Sequence, residues 1–182
     1  MRTLQIIVGV TLVTGATMMP IFAQPQSGTA KSVAGLLHTH EAFEFVVNAP
    51  IDVAWPLFGA QRERAWAPGW DPVFLWPEGT MDQQGSVFKI AHGGKTAIWI
   101  TTSFDQAEKN RVQYVYVRPE VVSTVITLKL TPSGPATHVT VTYERTALTT
   151  AANETVREMA AHDRVSGPEW GQQINDYLKP HS

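Results

Sequence analysis

Apolar residues recur at every second position through most of the chain, the period of a half-buried β-strand. Phe43, Phe45 and Val47 share one face of a strand expected over Thr39–Val47. Val122, Thr124, Ile126, Leu128 and Leu130 share a face over Val121–Thr131, and Val139, Val141, Tyr143, Arg145 and Ala147 share one over Thr137–Leu148. Further strands are expected at Pro72–Trp76, Gly85–His92, Thr96–Asp105 and Arg111–Arg118. Short turn-formers join them: Pro77-Glu78-Gly79, Gly93-Gly94, Lys109-Asn110, Pro119 and Pro132-Ser133-Gly134. Joints this short predict an antiparallel meander.

Two stretches leave the period of two. After Val47, Pro50 is suited to a first helical turn, Asp52 adds a carboxylate there, and Ile51, Trp55 and Phe58 fall on one helical face. Pro56 and Gly59 keep that helix short, and a second one is expected over Gln61–Ala67, before Pro68-Gly69. The chain from Thr149 to Leu178 reads as helical, with Thr150 as a cap and a break at Gly167-Pro168. Its last part carries Trp170, Ile174, Tyr177 and Leu178 on one stripe, which needs an apolar surface to cover.

The N-terminal residues follow a different pattern again. Arg2, the apolar span Leu4–Met19 and the small Ala23 have the layout of a secretory signal peptide over residues 1–23. The span is shorter than the ~20 apolar residues a membrane-crossing helix needs. A Gly/Ser/Pro-rich flexible leader is expected over residues 24–37, then one domain over residues 38–180. Removal of residues 1–23 leaves 159 of the 182, enough for one core, and an exported protein, periplasmic or secreted, is expected. With Arg2 gone, 13 basic residues face 16 acidic ones without a basic run, which argues against nucleic acid and against an anionic membrane surface. The absence of cysteine removes disulfides, thiol nucleophiles and zinc–thiolate sites together.

One strand, two short helices, six more antiparallel strands and a C-terminal helix is the element order of the helix-grip fold, an α+β architecture. In it a curved seven-stranded sheet wraps a long C-terminal helix. The residues carry a resemblance as well. Phe45-Val46-Val47-Asn48-Ala49-Pro50, Val53-Ala54-Trp55-Pro56-Leu57-Phe58 and Trp66-Ala67-Pro68-Gly69-Trp70 resemble the opening of the START-like, or SRPBCC, superfamily of polyketide cyclase/dehydrase and lipid-transport proteins. His138-Val139-Thr140-Val141-Thr142-Tyr143 and Trp170 extend the resemblance over residues 41–178. It implies a deep, mainly apolar cavity between the sheet and the C-terminal helix, and no particular catalytic residue or cofactor.

Strand parity then selects side chains that could line such a cavity. His92 continues the face of Phe88 and Ile90, Arg145 that of Val139, Val141 and Tyr143, and Tyr114 and Tyr116 share the parity of Val112. Trp99 lies between Ile98 and Ile100, Trp66 and Trp70 bracket a Pro-Gly turn at a possible mouth, and Trp170 leads the C-terminal stripe. These eight form the candidate ligand-binding set. His38 and His40, beside Glu41, form an HxH pair without a third ligand at metal-site spacing. Asp71 and Glu144 are the carboxylates weighed as acid and base, but Glu144 has the wrong parity and Asp71 sits in a tight Trp-Asp-Pro turn. No serine elbow, phosphate loop or paired-histidine zinc motif is present.

The expected function is therefore that of an exported binding protein holding an apolar or amphipathic molecule, lipid-like or polycyclic. The alternatives are a cyclase/dehydrase-type enzyme working through cavity polar groups, and an accessory or chaperone-like factor. The last would present an apolar patch around Trp66–Trp70 to another exported protein.

Overall fold

The computed structural model describes residues 34–79, 81–92 and 94–179. The expected signal peptide, the leader as far as residue 33, the end of the domain at residue 180 and the side chain of His92 lie outside the described residues.

All seven expected strands form: β1 (His38–Val47), β2 (Val73–Trp76), β3 (Val87–His92), β4 (Lys95–Phe104), β5 (Arg111–Arg118), β6 (Val122–Ser133) and β7 (Ala136–Ala147). They make one antiparallel sheet in the order β1-β7-β6-β5-β4-β3-β2, so β2 to β7 run as a meander and β1 closes on β7. The alternation dictates which face is covered: Val122, Thr124, Ile126, Leu128 and Leu130 of β6 are buried, as are Val139, Val141, Tyr143, Arg145 and Ala147 of β7. The expected Pro132-Ser133-Gly134 turn is tighter than its sequence indicates. Ser133 pairs with Ala136 in the ladder, and Gly134 makes the reversal at φ 60°.

One bulge decides the inner face of β4. Thr101 pairs with Tyr114 but Ser103 pairs with Gln113, so the register slips at Thr102. Trp99 and Thr101 therefore point inward before the slip and Phe104 after it, while Ile98 and Ile100 are left on the outer face.

The expected helix pair is shorter than its pattern suggests. Pro50 stands just outside α1 (Ile51–Ala54), a 3-10 turn covers Trp55–Phe58, and α2 is the single turn Ala60–Glu63. Trp55 and Phe58 are buried on the shared face. At the other end, a 3-10 turn (Thr150–Ala152) leads into α3 (Asn153–Asp163), and α4 (Gly167–Tyr177) follows after Arg164–Ser166. The break lies just before Gly167-Pro168, since Pro168 has no N–H to donate and its ring would strike the carbonyl four residues earlier. The expected Thr150 cap is absent: no side chain caps this turn. Asn153 instead ties the last leader residues to α3, accepting from Leu37 N at 2.8 Å and donating to Gly35 O at 2.8 Å.

α4 lies on β1 through its glycines. A Cβ on Gly167 would come within 2.8 Å of the Glu44 carbonyl oxygen, and one on Gly171 within 3.2 Å of Phe45 Cβ. That close approach carries Trp170 between Phe43 and Phe45, at 5.4 and 6.2 Å between ring centroids. Ile174 is buried one turn further on. No helix among the described residues is long and apolar enough to cross a membrane.

Candidate functional site

The α2 turn and the loop after it are held by bonds that sequence order alone does not announce. Asp82, from the segment before β3, accepts from Gln61 N at 2.8 Å and so caps α2 from outside. The two indoles of the loop bond back onto the preceding turn, Trp66 Nε1 to Leu57 O and Trp70 Nε1 to Ala60 O, each at 2.7 Å. Tyr114 on β5 donates its hydroxyl to Phe58 O at 2.6 Å, fastening the same turn to the sheet. Three aromatic side chains thus spend their polar atoms on backbone and leave ring surface for what lies between them.

What lies between them is a cavity of about 200 Å³. The sheet contributes Trp99, Tyr114, Ile126, Leu128 and Tyr143, and the loop after α2 contributes Trp66 and Trp70. His162, Glu169, Trp170 and Gln173 come from α3 and α4. It therefore lies between the sheet and the C-terminal helices, as the fold resemblance implies. Larger hollows of about 440 and 590 Å³ around Asp82 and Arg62 are more open grooves at the surface.

One lining residue is chemically out of keeping with the rest. Glu63, the last residue of α2, is 4% exposed, and among the described residues its carboxyl has no hydrogen-bond partner. Burial, and then the neighbouring Asp82, push its pKa well above the usual 4.5, which favours the protonated form. Burial pushes the Tyr114 hydroxyl up as well, helped by Glu63 and Asp82. Tyr143 is raised by burial and by Asp163, against a smaller opposing effect of Arg145.

Of the eight candidates, Trp66, Trp70, Trp99, Tyr114 and Trp170 all line this cavity. The side chain of His92 is outside the described residues. Arg145 and Tyr116 point inward as their parity requires, but they meet each other and not the cavity. Arg145 is 5% exposed and grips Asp163 with two parallel bonds, Nε to Oδ2 at 2.6 Å and Nη2 to Oδ1 at 2.8 Å. Its Nη1 donates to Tyr116 and Thr124. The guanidinium also lies 4.5 Å from the Tyr143 ring centroid. Burial opposes its charge, yet the bonded Asp163 and the adjacent Tyr116 keep its pKa above the ordinary value. This cluster fastens the end of α3 to β7. Tyr116 also borders a separate hollow with Ile90, Ala97 and Met159.

Asp71, Glu144, His38 and His40 sit on the surface. Asp71 is exposed and accepts from Arg64 at 2.7 Å, and Glu144 faces outward on β7, so they form no acid–base pair at the cavity. His38 bonds Thr146 at 2.9 Å, and His40 lies 3.7 Å from Glu144. Among the described residues, no group of three or more His, Asp or Glu side chains gathers as a metal site. Nor does the loop at Trp66–Trp70 present an apolar patch, since Trp66 is buried and Trp70 half-buried. Glu63 escaped the sequence reading, though a signal was available: Glu63, Trp66, Ala67 and Trp70 stand at i, i+3, i+4 and i+7.

No protein-family profile and no curated protein matches the sequence. Solved structures do match. The Mll3558 protein from Rhizobium loti is 19% identical with a TM-score of 0.54, over 79% of this chain and 99% of its own. Norcoclaurine synthase from Thalictrum flavum, solved in complex with dopamine and hydroxybenzaldehyde, is 13% identical with a TM-score of 0.59, over 88% and 99%. CalU16 from Micromonospora echinospora is 14% identical with a TM-score of 0.53, over 80% and 87%. The likeness is one of fold, and it bears out the helix-grip architecture expected from the START-like resemblance.

Proposed function

We propose that this protein binds a compact small molecule in the cavity between its sheet and its C-terminal helices. The observation that carries this reading is an aromatic-walled cavity of about 200 Å³ lined by the buried Glu63, whose carboxyl has no hydrogen-bond partner among the described residues. An apolar cavity of roughly 150 Å³ suffices for benzene, whereas drug-sized ligands occupy roughly 300–1,000 Å³. The volume supports one ring with a short substituent and argues against a long acyl chain or a polycyclic skeleton. That norcoclaurine synthase holds dopamine and hydroxybenzaldehyde on this fold supports a ligand of the same scale. A ring the size of an aromatic side chain buries roughly 150–250 Å². At about 25 cal/mol per Å², that is worth roughly 4–6 kcal/mol before the costs of association.

Export belongs to the same proposal, on the strength of the apolar span Leu4–Met19 and the small Ala23 that follows it. Native mass spectrometry of protein drawn gently from the periplasm of its host tests both parts. The expected species lacks residues 1–23 and carries a small organic adduct that leaves on mild activation. Protein found only in the cytoplasm would sink the export reading. Protein that carries no adduct and takes up none from a library of ring-sized compounds would sink the binding reading.

A further inference from the structure

We infer that the cavity is built for a compact organic cation, a protonated amine whose charge is met by the Glu63 carboxylate and the surrounding aromatic rings. The inference rests on the small-molecule reading above and narrows it to one chemistry.

Three observations converge. First, the lining offers aromatic ring surface: Trp66, Trp70 and Tyr114 have already given their N–H or O–H groups to backbone carbonyls at 2.6–2.7 Å, while the buried Trp99 Nε1 has no partner among the described residues. The negative face of an aromatic ring attracts a cation, and indole does so best. Second, no lysine or arginine is among the lining residues, whereas Glu63 and, toward the mouth, Glu169 are. An anionic ligand would find no lysine or arginine in the lining to pair with. Third, Glu63 is 4% exposed at the cavity wall with no donor serving it among the described residues. An ammonium group brings up to three donors and no acceptor, so it satisfies this carboxyl fully.

Occupancy is then coupled to a proton. In the free protein, burial and then Asp82 push the Glu63 pKa well above the usual 4.5, in the direction of the neutral form. A cationic ligand favours the carboxylate, so binding expels the Glu63 proton, and affinity falls as the pH is lowered through the free-state titration. The other ionisable groups around Glu63 are Asp82, which caps its own turn, Tyr114 and Tyr143 from the sheet, and His162 and Glu169 from α3 and α4. Arg62 and Arg64, on its own turn, are exposed, and Arg64 is paired with Asp71. Both tyrosines are pushed up and stay neutral. An imidazolium at His162 would act on affinity in the same sense as Glu63, and a His162→Gln variant separates the two.

The test is isothermal titration calorimetry of the folded domain with benzylamine and its uncharged isostere benzyl alcohol, in two buffers of different ionisation enthalpy and over a pH series. The cation should bind at least about tenfold tighter than the alcohol, about 1.4 kcal/mol, and should release a proton that the alcohol does not. Glu63→Gln should abolish both the preference and the proton release. Equal or weaker binding of benzylamine by the wild-type protein overturns the inference, as does an unchanged benzylamine affinity in Glu63→Gln. Binding of the alcohol alone defeats the cation assignment and leaves the cavity reading standing, whereas binding of neither defeats both. Should Glu63→Gln fail to fold, proton release by the His162→Gln variant decides, and its absence overturns the inference.

Discussion

Replacing Asp163 by alanine should be among the most damaging single changes this domain can suffer. Arg145 is anchored by four hydrogen bonds, two of them to Asp163 and one each to Tyr116 and Thr124. The two charged side chains are only 6% and 5% exposed, so solvent screens little of their interaction. Asp163→Ala leaves the guanidinium buried with two hydroxyls and a tyrosine ring but no countercharge. Breaking a buried pair from one side costs about 3–5 kcal/mol, a large share of the roughly 5–15 kcal/mol that holds a domain together. Arg145→Met combined with Asp163→Leu removes both charges and keeps apolar volume in place. The double variant should recover most of that loss. Urea unfolding followed by circular dichroism and tryptophan fluorescence reads the difference, with coincident transitions as the check on two-state behaviour. A cost for Asp163→Ala below about 1 kcal/mol, the value of an exposed pair, would refute the reasoning. So would a double variant less stable than the single one.

Three further outcomes follow from close contacts and from Glu63. Gly59→Ala would place a Cβ 2.3 Å from Asp82 Oδ2 and dislodge the carboxylate from Gln61 N. The expected loss is about 1 kcal/mol in thermal unfolding, with no further loss when Asp82→Ala is already present. Gly167→Ala would set a Cβ 2.8 Å from a backbone oxygen that cannot rotate away. It should lift α4 from β1 at a cost of about 1–3 kcal/mol, read in the same unfolding experiment. The pH dependence of stability should carry the mark of Glu63, whose folded-state pKa is raised by burial and by Asp82. The native state then binds more protons than the unfolded chain, so this group's contribution is whole below the usual 4.5 and is lost as the pH climbs through the raised value. Unfolding curves of Glu63→Gln should lack that decline, and a wild-type profile parallel to the variant's would contradict the assignment.

Much of this arrangement was readable from the chain, and the exceptions have physical causes. β6 and β7 announced themselves because one face is covered and the other is wet, which writes the period of two directly into the residues. β4 was ambiguous because apolar Ile98 and Ile100 flank Trp99, and only the bulge at Thr102 settles which side is inner. Arg145 was rightly expected to point inward. Its occupation by Asp163 was hidden, because that partner arrives from α3, 18 residues away, after the chain has left the sheet. Glu63 is hidden for a related reason: in the run Gln61-Arg62-Glu63-Arg64 it reads as one more surface charge. Only its helical spacing to Trp66 and Trp70 distinguishes it from the solvated residues on either side.

The cavity itself is tested most directly by the indole N–H signals of the tryptophans in a ¹⁵N-labelled sample titrated with benzyl alcohol. Of the six tryptophans, Trp66, Trp70, Trp99 and Trp170 line the cavity, whereas Trp55 packs against Phe104 and Trp76 is 53% exposed. The four lining signals should shift together and saturate along one binding curve while those of Trp55 and Trp76 stay in place. Shifts confined to Trp76 or Trp55, or no saturable shift at any of the six, would contradict the existence of a binding cavity between sheet and helices.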